Sequence, residues 1–160
     1  HRDLHSFPTR RSSDLQNKVS VAVSNFDMIE TVDSWHLAQT IDHHCAKIQK
    51  KMPVLVEVNS GREVNKTGVL PEAVDDLIIQ MSSLKYLSVE GLMTMGPRFG
   101  DPENSRPYLK ATREVFERIA DRNLPNINMK YLSMGMSNNY QIAIEEGANI
   151  IRIEIGRAHV

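Results

Sequence analysis

Short β-branched runs alternate with stretches whose apolar residues recur at every third or fourth position between residues 26 and 153. The run FDMIETV predicts a strand over 26–32, ended by Asp33-Ser34, a pair suited to capping a helix. Leu37, Ala38, Ile41, Cys45 and Ile48 then share one face, so the spacing predicts that helix over 34–49. A second strand is expected over 54–59 (VLVEVN), followed by a polar loop, SGREVNKTG, in which Gly61 and Gly68 mark turns. Pro71 stands at a helix's first position, with Ala73, Val74, Leu77, Ile78 and Met81 as the apolar stripe behind it.

A third strand over 88–95 (SVEGLMTM) opens into a loop bearing Gly and Pro, GPRFGDPENSRP. The helix after it runs to Ala120 and turns Leu109, Thr112, Val115, Phe116 and Ile119 inward. Pro107 fits only in or near its first turn. A fourth short strand is expected over 131–134, a helix over 137–146 stopped by Gly147, and a fifth strand over 149–153.

Strand–helix alternation with short connections implies parallel strands joined by crossover helices. The strands are apolar on both faces, as a helix-covered sheet or a closed barrel requires. Alternation alone does not separate an open doubly wound sheet from a barrel. However, the polar, Gly-bearing segments 59–68, 96–107 and 134–139 all follow strands, and in a barrel such loops build the active face. The expected fold class is therefore α/β, a partial TIM-type (β/α) barrel of parallel strands. Eight units in roughly 250 residues is about 31 residues per unit, so residues 16–153 hold about five of the eight.

Composition changes this picture little. The chain has 160 residues, 41% hydrophobic and 24% charged, which suits one globular domain. A formal net charge of −1 gives no reason to expect nucleic acid or an acidic membrane as partner. The single cysteine, Cys45, excludes an internal disulfide and fits a reducing cytoplasm, the expected location. No apolar run approaches the roughly 18–20 residues that span a bilayer. The ends stand apart from the rest. Residues 1–15 (HRDLHSFPTRRSSDL) show neither period, and EIGRAHV over 154–160 interrupts a β-branched run. Both resemble translated adaptor sequence, and with a start other than Met they lead to the expectation that only 16–153 is native.

The segment YLSMGMSNN over 131–139 is the most specific candidate for chemistry. A strand end, a Gly and a Ser heading a helix make an anion site from backbone N–H groups and the helix dipole, and Gly135 allows close approach. Spacing alone favours the plainer reading, in which Ser137 caps its own helix. Arg152, read without further context, reaches solvent or pairs with Glu145 or Glu146. Asn59 and Met93 lie at strand ends, where packing or loop capping competes with lining a pocket. Lys66, between Asn65 and Thr67, reads as a solvated loop lysine. His43-His44-Cys45 does not converge on one ion, because consecutive helical residues point about 100° apart; no metal is expected. Walker, Gly-x-Gly-x-x-Gly, His-Glu-x-x-His and nucleophile-elbow patterns are absent.

LSMGMS before a helix, followed by a Gly and the strand NIIRI, is similar to the pyridoxal phosphate homeostasis protein family. VEVNSGREVNKTGV, GLMTMGP and RPYL resemble further segments of that family in the same order, with VDSWHLA and LQNKV as weaker matches. The resemblance implies a single barrel like the N-terminal domain of alanine racemase, binding pyridoxal 5′-phosphate on a lysine at the end of the first strand. That lysine is expected upstream of Gln16, so no catalytic residue is assigned here, and 16–153 becomes the C-terminal part of the barrel. The resemblance places the phosphate on Ser137 and the backbone of Met134, Gly135 and Met136, and the ring nitrogen opposite Arg152. Asn59 and Met93 are expected around the ring. The family's Gly-Thr after the last strand is replaced by Glu154-Ile155. A cation beside the ring nitrogen disfavours its protonation and makes the ring a poorer electron sink, which suits binding over demanding carbanion chemistry. The implied function is cofactor homeostasis, with pyridoxal-phosphate-dependent enzymes as partners. Two other readings are an alanine-racemase-type enzyme, which needs a second acid/base from an additional domain, and a fragment with no function of its own.

Overall fold

A computed structural model describes residues 7–98 and 100–156, with side chains from Gln16 onward. Four parallel strands, β1 (Ile29–Val32), β2 (Met52–Glu57), β3 (Leu87–Met93) and β4 (Ile127–Ser133), lie side by side in sequence order. The helices are α1 (Phe7–Asn25), α2 (Trp35–Lys47), α3 (Val74–Met81), α4 (Arg106–Ala120) and α5 (Tyr140–Glu145). Sequence order without reversal is what successive right-handed crossovers produce, and it is the order of a barrel wall rather than of a doubly wound sheet.

Local signals explain most boundaries. Ser34 caps α2, its Oγ accepting from Leu37 N at 3.1 Å, and Ala38, Ile41 and Cys45 are buried along one face. Pro71 opens a 3₁₀ turn that leads into α3, whose buried residues are Val74, Leu77, Ile78 and Met81. Pro107 sits in the first turn of α4, where a missing N–H costs nothing, and Leu109, Thr112, Val115 and Ile119 are buried behind it.

The inner and outer faces of the sheet are sorted by an irregularity. Val54, Val56, Val89, Leu92 and Leu132 join the core packed under the helices. Strict alternation from Val89 would send Leu92 to the other side, but the register of β3 shifts between Val89 and Gly91. Gly91 is required there, since a Cβ would lie 1.8 Å from the Tyr131 carbonyl oxygen. The shift leaves Met93 on the face opposite the helices, level with Glu57 of β2 and Ser133 of β4.

Two expectations need correction, and one element stands where none was expected. Residues 149–153 do not form a fifth strand; only a single bridge, Ser133 to Ile150, is present. The segment still runs beside β4, with Met134 N donating to Ile150 O and Arg152 N to Gly135 O, both at 3.0 Å. Gly135, at φ 98°, bends the partner away before a regular ladder can form. The helix expected over 137–146 begins only at Tyr140, because Met136 O accepts from both Asn139 N and Tyr140 N and closes a turn first. Finally, a helix extends back to Phe7 through a segment with no visible period, anchored by the buried Val19 and Val23. Residues 1–6 and 157–160 of the two ends lie outside the described residues.

Candidate functional site

The C-terminal ends of the strands open into a cleft of about 540 Å³, bounded by the loops after β2 and β3 and by Met136. This is the end at which loops of a (β/α) barrel build their sites. Asn59 lines the cleft and also braces its own loop, donating from Nδ2 to Glu63 O at 2.9 Å and accepting at Oδ1 from Glu63 N at 3.1 Å. Lys66 stands at the rim, 3.0 Å from Glu63. Pro97 packs on Gly61, where a Cβ would come within 2.5 Å of its ring. That contact fastens the β3 loop to the β2 loop and sets Arg98 between the cleft and a smaller recess lined by Met136, Ser137, Asn138 and Glu154.

Burial shapes the chemistry at the mouth. Glu57 is only 6% exposed, and burial first of all pushes its carboxyl above the usual range. The Thr67 hydroxyl, which donates to Oε1 at 2.7 Å, and the charge of Arg152 act the other way, while nearby Asp33 adds to the rise. Arg152 faces inward. Its Nη1 donates to Ser133 Oγ at 2.7 Å and its Nη2 to the Thr94 carbonyl at 2.8 Å, and its Nε–H is buried without an acceptor among the described residues. Desolvation lowers its pKa, with Glu30 and Glu57 opposing, and it remains a cation. The pairing with Glu145 or Glu146 is not formed; those carboxylates are taken by Arg106, at 2.6 and 3.0 Å.

Around the turn, Gly135 and Met134 are buried and Ser137 is exposed. The Met134 side chain belongs to the helix-side core, so only its backbone reaches the site. Met136 borders the cleft, and its N–H is held by Asn139 Oδ1 at 2.8 Å. Ser137 does not cap α5. Its Oγ accepts from Glu154 N at 3.0 Å, and its hydroxyl hydrogen and its own N–H meet no acceptor among the described residues. A six-residue helix starting three positions later adds little dipole, so the anion-binding capacity rests on the turn itself. Gly135 makes the turn: a Cβ there would lie 2.6 Å from Ala143 Cβ. Met93 is buried in the row with Glu57 and Ser133.

Of the expected residues, Asn59 and Met136 line the cleft, and Met136 and Ser137 line the smaller recess; Gly135, Met134, Met93 and Arg152 line neither, Arg152 being tied to the strand ends through Ser133 and Thr94 and to the turn through the Gly135 carbonyl. Sequence reading missed Ser133, Thr94 and Glu57. Alternation could have flagged Glu57, an acid among valines in VLVEVN, but Ser133 and Thr94 gain meaning only once Arg152 is placed in three dimensions.

Parallel strands in sequence order with the site at their C-terminal ends define a barrel-wall α/β protein. The chain belongs to the family described as alanine racemase, N-terminal domain, whose model matches residues 12–156. It is 38% identical over 137 residues to the pyridoxal phosphate homeostasis protein of Aquifex aeolicus, covering 86% of this chain and 59% of that protein. The protein of the same name from Helicobacter pylori is 32% identical over 140 residues, covering 86% and 60%. The chain therefore spans about three-fifths of the length of these relatives. Among solved structures, PipY of Synechococcus elongatus with PLP bound aligns at TM-score 0.76 and 28% identity, over 86% of this chain and 63% of PipY. An alanine racemase of Clostridium difficile shares the fold at TM-score 0.69 and 19% identity, over 88% of this chain and 34% of the racemase. Among the described residues no helix is long and apolar enough to cross a membrane.

Proposed function

We propose that the protein binds pyridoxal 5′-phosphate and that its full-length form serves intracellular pyridoxal phosphate homeostasis in the cytoplasm, passing the cofactor to enzymes that depend on it. One observation carries the reading: a buried guanidinium, fixed by two acceptors, has an Nε–H, beside a glycine-built turn whose Ser137 N–H and hydroxyl hydrogen, like that Nε–H, meet no acceptor among the described residues. That pairing suits a ligand with a phosphate at one end and an unprotonated heteroaromatic nitrogen at the other. The curated relatives carry the homeostasis name and PipY has been solved with PLP bound.

In this reading Ser137 donates from its hydroxyl and backbone to the phosphate ester, and Gly135 lets the chain come close. Arg152 faces the ring nitrogen, while Asn59, Met93 and Met136 bound the ring. When bound, the cofactor supplies an aldehyde and an electron-withdrawing ring. Arg152 disfavours protonation of that ring, so the site holds the cofactor rather than driving carbanion chemistry.

Equilibrium titration with pyridoxal 5′-phosphate tests this. Binding should weaken about tenfold in Arg152→Gln and in Ser137→Ala, the size of one lost charge-assisted hydrogen bond. Equal affinities in all three proteins would remove the reading. Turnover of alanine or serine to its enantiomer with cofactor present would replace it with a racemase.

A further inference from the structure

We propose that Ser133, with the carbonyl of Thr94, is the positioning residue that decides which N–H of Arg152 is offered to the ligand; this rests on the cofactor reading above. A guanidinium has five N–H donors on a planar fork, and without restraint any of them could face a ligand. Here the fork is oriented. Nη1 gives one N–H to Ser133 Oγ at 2.7 Å and Nη2 gives one to Thr94 O at 2.8 Å, which leaves Nε, buried and without an acceptor among the described residues, as the guanidinium nitrogen with no partner there.

The two acceptors are themselves held. Ser133 and Thr94 are each 0% exposed, and Thr94 N donates to Ser133 O at 3.0 Å across the ends of β3 and β4. The Thr94 hydroxyl donates to Val58 O at 2.8 Å and meets the Ser60 hydroxyl at 2.9 Å, which ties in the end of β2. On its own segment, Arg152 N donates to Gly135 O at 3.0 Å. The ends of β3 and β4 therefore hold the Arg152 side chain, the end of β2 braces Thr94, and the Gly135 turn holds the Arg152 backbone. An N–H fixed in this way selects a ligand whose facing atom carries a lone pair, such as a pyridine nitrogen, and discriminates against one whose nitrogen bears a proton or a methyl group.

The test uses the 160-residue chain, its Ser133→Ala and Ser133→Thr variants, and two readouts. The first needs no ligand: the ¹⁵N order parameter of Arg152 Nε–H. It should match rigid backbone in the parent and in Ser133→Thr, which keeps the hydroxyl, and fall in Ser133→Ala while the melting temperature stays near that of Ser133→Thr. A mobile Nε in the parent, or an equally rigid one in Ser133→Ala, overturns the inference whatever binds. The second readout is the affinity ratio between pyridoxal 5′-phosphate and its ring-N-methyl analogue. The parent and Ser133→Thr should prefer the former about tenfold, and Ser133→Ala should lose that preference. An unchanged ratio in Ser133→Ala also overturns it. If the parent binds neither compound, the cofactor reading fails and the order parameter alone judges Ser133.

Discussion

Gly135 is where fold and candidate site share one backbone conformation, and replacing it with Ala separates their contributions. At φ 98° the residue occupies a left-handed region that a Cβ disfavours by about 1–2 kcal/mol. The added methyl would also lie 2.6 Å from Ala143 Cβ and 3.2 Å from Tyr140 Cα. Overpacking of this kind costs about 1–3 kcal/mol, so the total expected is about 2–5 kcal/mol. Urea denaturation of Gly135→Ala against the parent measures it. The Ala143→Gly variant tests the partition, because it removes one side of the clash. Alone it should cost about 1 kcal/mol through the propensity of α5, yet in the double variant it should return most of the packing loss and leave the backbone part. A Gly135→Ala protein within about 0.5 kcal/mol of the parent, the range of an ordinary surface change, would refute the reasoning.

Other expectations follow from the same structure. The Cys45 thiol, buried in α2, has its pKa pushed up to about 11, chiefly by desolvation. It should therefore resist alkylation at pH 8 until the protein unfolds, and its share of stability should be lost as pH rises from about 9 through 11. Glu57 has a raised folded pKa, so its charged form is disfavoured at neutral pH; Glu57→Gln should raise the urea midpoint there, with the gain fading as the pH falls and the parent carboxyl protonates. Arg106 bridges Glu103 to Glu145 and Glu146, so Arg106→Gln should lower the melting temperature, and by less in 1 M salt, about a 3 Å screening length. Residues 1–15 are proposed to be non-native, and among the described side chains of α1 the buried anchors are Val19 and Val23, so deleting 1–15 should leave the melting temperature nearly unchanged; a large drop would contradict that proposal.

Helical periodicity and turn residues made most of the fold legible before any coordinates. The stripes of α2, α3 and α4 lie where spacing put them except at Ile48, which caps α2 and is exposed, because each apolar set spans enough turns to specify a face. The beginning of β4 was missed: residues 127–130 mix Asn, Met and Lys and are strand through pairing with β3 rather than through their own pattern. The reverse error occurred at 149–153, where a β-branched run looks like a strand but is steered off the ladder by Gly135. For the site, the Gly-Met-Ser turn and the strand-borne arginine stood out through the family resemblance. Their setting did not. The inward turn of Met93 depends on the register shift at Gly91, and the grip of Ser133 and Thr94 on Arg152 joins residues far apart in the chain.

The most direct measurement is a crystal structure of the protein soaked with pyridoxal 5′-phosphate. The account predicts phosphate density against Ser137 and Gly135 with the ring nitrogen facing Arg152 Nε. Ordered cofactor elsewhere on the molecule, with the Met134–Ser137 turn bare, would contradict it.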